Sequence, residues 1–368
     1  MKKKPSFISR ILWWFNWLAV IALLLGWSAT YVSPANFWPL AFFGLAYPFI
    51  LLTNGLFLVY WTLRKRRKLW LPLLAILLLG YPMLRSIQFR GSSGPVTADQ
   101  PFKVLSYNVR LFNLYNWKHN TEVRNQILDF LANEQPDIMC FQEFFHSSDR
   151  FYFNTLDTLL SLQDARNIHT RFTATVKGKH HFGIATFSRY PILTRGEVPF
   201  ENGGNNICIF SDLQIGKDTV RVYNVHLASI HLGRKDYQYL NELGESKANE
   251  RWAGGIKIVK ALKRAYVKRA HQAEMLAQHI EACPYPVVVC GDFNDTPTSY
   301  TYQTIASQLQ DAFMESGAGF GNTYNGTLPS FRIDYLLHSN QLESHGFRTV
   351  RKDLSDHYPV IGYLDFRD

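Results

Sequence analysis

Residues 287–294 read VVVCGDFN, and this stretch decides how the rest of the chain is interpreted. Its first four residues are apolar, which is typical of a short buried strand. Asp292 and Asn294 follow at the point where that strand ends. A rigid strand that ends in a carboxylate and an amide presents both groups at the edge of a sheet, where functional side chains concentrate.

The same pattern, a β-type run that ends in polar residues, recurs along the chain. Strands are predicted over 102–108, 137–142, 183–188, 219–226, 287–290 and 333–338. Apolar residues at helical spacing predict helices over 123–132 and 249–282. Many of the strands lie too close together for a helical crossover, so an α/β domain with a mixed or antiparallel sheet is favoured over a purely parallel one.

The polar residues at these strand ends form the candidate site. They are Asn108, Glu143, Asn224, His226, Asp292, Asn294, Asp334, Asp356 and His357. Each one alone is explained equally well by a solvated surface residue or a turn, but their joint position at strand ends is not. Carboxylates with an amide suit Mg²⁺ or Mn²⁺, and two histidines suit proton transfer and stabilisation of charge on a phosphoryl oxygen.

Other function classes lack their sequence signatures. No Cys–His cluster indicates zinc, no GxxxxGK[ST] loop indicates a nucleoside triphosphatase, and no GxSxG elbow indicates an acyl hydrolase. The four cysteines are too few for a disulfide framework in a domain of this size. Cys140 and Cys290 lie inside apolar runs and are interpreted as small core residues, while disulfide pairing stays open.

The net charge of +10 is unevenly distributed. Residues 1–90 contain eleven Lys and Arg and no Asp or Glu, so residues 91–368 contain 28 basic and 29 acidic residues. The basic excess therefore lies outside the predicted catalytic part. That part lacks the broad positive field of a protein that binds long nucleic acids.

Residues 1–90 are predicted to form a membrane anchor with two to three transmembrane helices. No charged residue occurs from Ile11 to Leu63, which is enough for two spans of about 20 residues. A third apolar run, 69–84, is short and contains Pro72 and Pro82. The alternatives are a cleaved signal peptide, for which the apolar run is too long, and a transporter, for which charged residues along a pathway are lacking.

Basic residues mark cytoplasmic loops. Residues 2–4 and 64–68 are therefore expected in the cytoplasm, and the chain after Gly91 on the extracytoplasmic (periplasmic) side. Residues 91–101 are a linker by composition, and residues 102–368 are predicted to form the α/β domain that carries the candidate site.

In their order and residue types, these motifs resemble the endonuclease/exonuclease/phosphatase superfamily, here in a membrane-anchored bacterial form. The superfamily includes pancreatic deoxyribonuclease, apurinic endonucleases, neutral sphingomyelinases and inositol polyphosphate 5-phosphatases. The resemblance rests on Gly-Asp-Phe-Asn at 291–294 followed by Ser-Asp-His at 355–357, and it covers residues 102–368. It implies a two-sheet α/β sandwich with the active site at one edge, preceded by the N-terminal transmembrane helices.

The resemblance also implies catalytic roles. Asp292 and Asn294 would position the attacking water and the phosphate. His357, oriented by Asp334, would act on the nucleophile or on the phosphoryl oxygen. His226 matches the second catalytic histidine of the deoxyribonuclease branch. The general base is assigned jointly to Asp292 and His357.

The implied metal ligands are Glu143, with Asn108 nearby, and Asp356 beside the Mg²⁺ or Mn²⁺ ion. Some nucleases of the family carry an acidic residue where Arg110 stands, so either the metal site has one ligand fewer or Arg110 contacts substrate. The candidate substrate contacts are Arg110, Arg189 and Asn224. A solvated turn arginine is the alternative for Arg189.

The predicted helix 249–282 carries two distinct faces. One face has Lys257, Lys260, Arg264 and Lys268, and another has Ile256, Val259, Leu262 and Tyr266. The helix is interpreted either as an amphipathic surface helix with a solvated basic side or as a patch for a polyanion or anionic headgroups.

The function predicted from the sequence is divalent-metal-dependent hydrolysis of phosphodiester bonds in a nucleic acid or a lipid headgroup. The alternatives are a phosphomonoesterase of the inositol-phosphatase type and a membrane-tethered binding protein that has lost catalysis. Such a binding protein usually lacks a metal ligand or the terminal histidine, and both are present here. The sequence indicates no obligate protein partner.

Overall fold

The computed structural model describes residues 7–65, 67–89, 91, 101–116, 121–149, 153–163, 167–200, 204–230, 248–326 and 329–367. Its N-terminal helices are α1 (Phe7–Ser28), α2 (Pro34–Phe37), α3 (Pro39–Leu45), α4 (Tyr47–Leu63) and α5 (Trp70–Leu79). Later helices are α6 (Glu122–Glu134), α7 (Thr155–Gln163), α8 (Ala248–Glu281), α9 (Tyr300–Ile305) and α10 (Ala312–Ser316). The predicted linker lies almost wholly outside the described residues.

The first strand in the chain is the short β1 (Ile87–Gln88), and thirteen further strands follow it among the described residues. The first half of residues 102–368 contains β2 (Phe102–Asn108), β3 (Ile138–Ser147), β4 (Asn167–Val176), β5 (His180–Ser188), β6 (Ile192–Val198), β7 (Ile207–Ile215) and β8 (Asp218–His226). The second half contains β9 (Val287–Asp292), β10 (Gln310–Asp311), β11 (Gly319–Phe320), β12 (Asp334–His338), β13 (Leu342–Thr349) and β14 (Val360–Phe366).

Two six-stranded sheets form the body, in the orders β10-β12-β9-β8-β7-β6 and β13-β14-β2-β3-β5-β4. Near the centre of each sheet lies one parallel pair, β8–β9 and β2–β3. Their neighbours pair antiparallel. The expected mixed two-sheet α/β fold is confirmed.

Apolar side chains from both sheets meet in one buried cluster, which includes Val104 and Cys140 from one sheet and Val222 and Cys290 from the other. The outer face of the sheet that contains β2 and β3 packs against α6 and α7, and the outer face of the sheet that contains β8 and β9 packs against α8. The interpretation of Cys140 and Cys290 as core residues is confirmed, since both are buried and free. The result is a four-layered sandwich whose strand ends lie at common edges.

The N-terminal helices expose many large apolar side chains. Of the described helices, α1 alone is long and apolar enough to cross a membrane, and α3 with α4, bent by 63°, would be a second if counted as one span. The third apolar run forms α5, which has ten residues and a length of about 15 Å. That is half of a bilayer core of about 30 Å.

The N-terminal helices contact the sandwich directly. The Thr298 hydroxyl donates to the Gly44 carbonyl (2.8 Å), and the Ser33 hydroxyl to Glu274 (3.2 Å). Farther along the chain, the Arg332 guanidinium donates to the Arg85 carbonyl (2.6 Å), and β1 pairs antiparallel with β11. The N-terminal helices and the sandwich are therefore joined by contacts at two places.

Candidate active site

Strand register brings the predicted polar residues together. His226 at the end of β8 lies opposite Asp292 at the end of β9. On its other side, Asp292 lies opposite Asp334 at the start of β12. Directly opposite residues point to the same face of a sheet, so these three side chains form a row. In the facing sheet, Asn108 lies opposite Gln142 at the same kind of strand end.

The centre of the cluster is the buried carboxylate of Asp292. Its Oδ2 accepts hydrogen bonds from the side-chain amides of Asn108 and Asn294, both at 3.1 Å. Its Oδ1 accepts the backbone N–H of Asn294 at 2.8 Å. The Nε2 atoms of His226 and His357 both lie 3.8 Å from Oδ2. Asp292 thus connects both sheets and both histidines.

His357 is held by a second buried carboxylate. Its Nδ1 lies 3.1 and 3.0 Å from the two oxygens of Asp334, whose backbone N–H donates to the Thr323 hydroxyl. The ring of Tyr324 packs edge-on against the imidazole, with centroids 5.7 Å apart. The ring is therefore fixed with Nε2 directed toward Asp292.

The electrostatics of this pair follow from burial and charge. Burial would lower the pKa of His357, but the carboxylates of Asp334 and Asp292 outweigh it and raise the pKa to about 10. Burial raises the pKa of Asp292 to about 6 against the opposing effect of the His357 charge. At neutral pH the imidazole is therefore cationic and Asp292 mostly ionised.

Glu143 reaches the site through an irregularity in β3. The pairing of β3 with β5 shifts register between Phe141 and Phe144, and Glu143 has a φ of 48°. Such bulges re-aim a side chain, and Glu143 lines the same cavity as Asp356 and His357. Burial and the nearby Asp356 charge raise the pKa of Glu143.

Two groups of residues in the described part of the chain suit a cation. Glu143 and Asp356 are neighbouring carboxylates that line the same cavity. Their repulsion is what a divalent cation would offset, so oxygen donors of this kind fit Mg²⁺ or Mn²⁺. Ligand atoms of Asp292, Asp334 and His357 also lie within 4.8 Å of one another, but there Nδ1 of the histidine is already engaged by Asp334.

The three predicted substrate contacts lie in different places. Arg110 is at the rim, with Nε 3.5 Å from Oδ2 of Asp356. The amide of Asn224 is fully buried beneath the site, where it donates to the Ala185 carbonyl (2.9 Å) and accepts from Gln142 (2.7 Å). It therefore connects the sheets and does not line the cavity.

Arg189 is not brought to the cluster. Its guanidinium donates to Asp137 (3.1 Å), which immediately precedes β3, whereas Glu143 lies within the register shift in the middle of that strand. A substrate contact by Arg189 at this cluster is therefore not supported. Arg189 instead forms an ion pair with Asp137, just before the start of β3.

A cavity of about 770 Å³ opens beside the cluster. Glu143, Asp292, Asn294, Asp356 and His357 line one part of it. The remaining wall includes side chains of α3, α4 and α8, among them Phe42, Leu45, Phe49, Ile258, Leu262 and Tyr266. The site is thus a polar end of a larger, mostly apolar space.

Comparison with known proteins gives the family. A model of the Endonuclease/Exonuclease/phosphatase family matches residues 105–357. The chain belongs to this family. Residues 9–87 separately match a domain of unknown function.

Similar proteins of the family include Nocturnin from Rattus norvegicus, 25% identical over 226 residues, which cover 57% of this chain and 47% of that protein. The match spans about half the length of these curated relatives. Two solved structures have a TM-score of 0.52. One is an endonuclease/exonuclease/phosphatase from Beutenbergia cavernae (15% identity, covering 73% of this chain and 72% of that one). The other is the human Nocturnin catalytic domain with bound sulfate (20%, covering 74% and 95%). At these identities the structures show the fold alone.

Arg269 and Asp295 also belong to the site, although neither is among the residues predicted from the sequence. The Arg269 side chain is 1% exposed, and its Nε lies 3.0 Å from Asp295 while Nη1 donates to the Ala228 carbonyl (2.7 Å). Both residues line the cavity. A signal was available, because Arg269 follows Leu262 and Tyr266 at helical spacing and Asp295 directly follows Asn294.

Proposed function

We propose that the chain is a divalent-metal-dependent phosphodiesterase that works at a membrane. The observation that carries the proposal is the position of Asp292. It is buried among two amides and two histidines in the wall of a cavity whose volume suits a small-molecule ligand. A carboxylate held this way can accept a proton from an attacking water, while the amides hold the water or a phosphate oxygen.

His357 has the complementary role in the proposal. Its Nδ1 is engaged by Asp334, so Nε2 is the atom available to donate a proton or a hydrogen bond to a phosphoryl oxygen. Its raised pKa keeps the ring cationic. This favours Asp292 as the general base and His357 as the group that stabilises negative charge. The sequence alone had assigned the general base to the two residues jointly.

The residues that would hold the cation are Glu143 and Asp356, with Asn108 nearby. When bound, Mg²⁺ or Mn²⁺ would neutralise charge on the phosphate. His226, beside Asp292, would help to fix the ionised carboxylate.

The charge of the cavity favours a diester over a monoester. Of the described residues that line it, Arg269 is the single guanidinium, and it is paired with Asp295. A phosphomonoester carries a charge of about −1.5 to −2 at neutral pH, whereas a diester carries one. Apart from the His357 imidazolium, the described residues that line the cavity supply no unpaired cation for the second charge of a phosphomonoester.

The proposed organisation is an anchor over residues 1–90, a linker over 91–101 and a phosphoesterase domain over 102–368. Lys68 lies at the far end of α4, where its Nζ is 4.9 and 4.7 Å from the rings of Trp13 and Trp61. Gly44, which contacts the sandwich, precedes the start of α4. The 17 residues of α4 span about 25 Å, so the basic end and the catalytic part are at opposite ends of the anchor.

With the basic end in the cytoplasm, the catalytic part faces the extracytoplasmic side. Residues 2–4, part of the basic signal, lie outside the described residues.

The test is hydrolysis of bis-p-nitrophenyl phosphate against p-nitrophenyl phosphate by the full-length protein with Mg²⁺ or Mn²⁺. Asp292→Asn and His357→Gln should each lower kcat/KM for the diester by about 10²–10⁴, and EDTA should abolish turnover. Asp218→Asn, at the exposed first residue of β8, is the matched control and should be neutral. Full activity of either site variant, or turnover in excess chelator, would contradict the proposal, and faster monoester hydrolysis would favour the alternative.

A further inference from the structure

The membrane anchor supplies part of the cavity that contains the candidate active site. Phe42, Leu45 and Phe49 come from the bend between α3 and α4, and they face Leu262 and Tyr266 of α8 across the same space. The rings of Phe42 and Tyr266 pack edge to face, with centroids 5.8 Å apart. The space between these helices is therefore continuous with the catalytic cluster.

This apolar wall is held in place by close contact. The Thr298 hydroxyl donates to the Gly44 carbonyl at 2.8 Å. A Cβ added at Gly44 would lie 2.9 Å from the Thr298 carbonyl oxygen and 3.1 Å from the Ala29 side chain. Gly44 thus permits the backbone of α3 to approach the loop after β9, which fixes the anchor wall relative to Asp292.

The cavity also borders a surface suited to lipid. Along α4, Phe49 and Leu52 are 58% and 62% exposed. On α8, Ile256 is 39% exposed, next to the exposed Lys257. Contiguous exposed apolar side chains mark a contact with a membrane or a partner, and Phe49 belongs both to this surface and to the cavity lining. A hydrocarbon chain could therefore pass from a bilayer into the cavity without crossing water.

We propose that the substrate is an amphiphilic phosphodiester, such as a phospholipid, whose chain lies between α4 and α8 while its phosphate reaches Asp292 and His357. The inference rests on the proposed phosphodiesterase activity and names its substrate class. The sugar and charged backbone of a nucleic acid would instead be placed against apolar walls, which disfavours them because polar groups lose water there without partners.

The test is a homologous series of p-nitrophenyl alkyl phosphates with methyl, butyl and octyl chains. Full-length protein in nanodiscs of zwitterionic lipid would be assayed with Mg²⁺. Each methylene that leaves water should raise kcat/KM about fourfold until the space is filled, so butyl and then octyl should exceed methyl. The p-nitrophenyl ester of thymidine 5′-phosphate serves as the nucleotide probe.

Variants of α8 test where the chain lies. Leu262→Trp fills the space, and Leu262→Ala, a milder change, removes contacts, so both should reduce the octyl-to-methyl ratio. Val259→Trp, on the same helix but at a 40% exposed position outside the cavity lining, is the matched control and should keep the wild-type ratio.

Equal kcat/KM for methyl and octyl esters, or faster turnover of the nucleotide ester, would overturn the lipid inference while leaving the phosphodiesterase intact. Absence of turnover for every ester would instead remove the proposed function itself. An unchanged octyl-to-methyl ratio in both Leu262 variants would also overturn the placement of the chain.

Discussion

Replacing Arg269 by Met should destabilise the protein by about 3 kcal/mol. The guanidinium is buried and paired with the buried carboxylate of Asp295. Removing one partner of a buried pair costs about 3–5 kcal/mol, because the other charge stays buried without compensation. Asp295 would keep hydrogen bonds from the Thr301 hydroxyl (2.9 Å) and the Thr296 N–H (3.1 Å). These place the expected loss at the lower end of the range.

The measurement is thermal unfolding in nanodiscs followed by far-UV circular dichroism. A change of about 3 kcal/mol corresponds to a fall in Tm of roughly 6–12 °C for a domain of this size. Because Asp295 directly follows Asn294, the diesterase kcat should also fall. Arg171→Met is the matched control, since the pair of Arg171 with Glu197 is exposed and such pairs contribute about 0–1 kcal/mol.

A double-mutant cycle decides whether the pair itself is responsible. Asp295→Asn removes the buried negative charge, so Arg269→Met combined with Asp295→Asn should be less destabilised than the two single losses added together. Strict additivity, or a loss for Arg269→Met no greater than for Arg171→Met, would refute the reasoning.

Three further predictions concern docking, pH and topology. Gly44→Leu should separate α3 from Thr298 and lower octyl-ester turnover, and hydrogen exchange of α3 unchanged from wild type would contradict this. Burial, followed by the Arg195 charge, lowers the pKa of His169 to about 4 in the folded protein. Below about pH 6.5 the unfolded chain therefore binds a proton that the folded protein does not. The free energy of unfolding is fully retained above about pH 6.5 and falls as the pH drops from 6.5 toward 4. His169→Gln should flatten that fall in Tm, and an unchanged slope would count against it. A C-terminal alkaline phosphatase fusion should be active in cells, whereas fluorescence from a reporter that folds only in the cytoplasm would place the domain inside.

The strands predicted well are those buried on both faces. The prediction over 102–108 coincides with β2, in which every residue is buried. The continuous apolar run 287–290 lies within the equally buried β9, because such a run leaves few alternatives. No strand was predicted where β4 and β6 lie, and these are edge strands with partly exposed residues. Edge strands bury less surface, so their residues carry a weaker pattern. The strand predicted over 137–142 stops where β3 bulges at Glu143, beyond which it continues to Ser147.

The site residues that could be predicted from the sequence are those at the ends of central strands. His226 and Asp292 follow directly from register, whereas the approach of Asp334 to His357 depends on how the last loop folds back. Arg189 was predicted to contact substrate from its place in the sequence alone. Only the direction of the strands shows that it lies beside Asp137, at the start of β3. Contact between Phe42 and Tyr266 joins segments far apart in the chain, and no local pattern encodes it.

The pairing of β1 with β11, together with the contact at Gly44, has a kinetic consequence. In the proposed membrane-bound arrangement, a catalytic part attached at two places cannot swing on a flexible tether, so its cavity would stay at a constant height above the lipid surface. Encounter then becomes a two-dimensional search in which substrate arrives by lateral diffusion. Turnover should accordingly scale with the mole fraction of substrate in the bilayer and stay constant when the same bilayer is diluted in buffer.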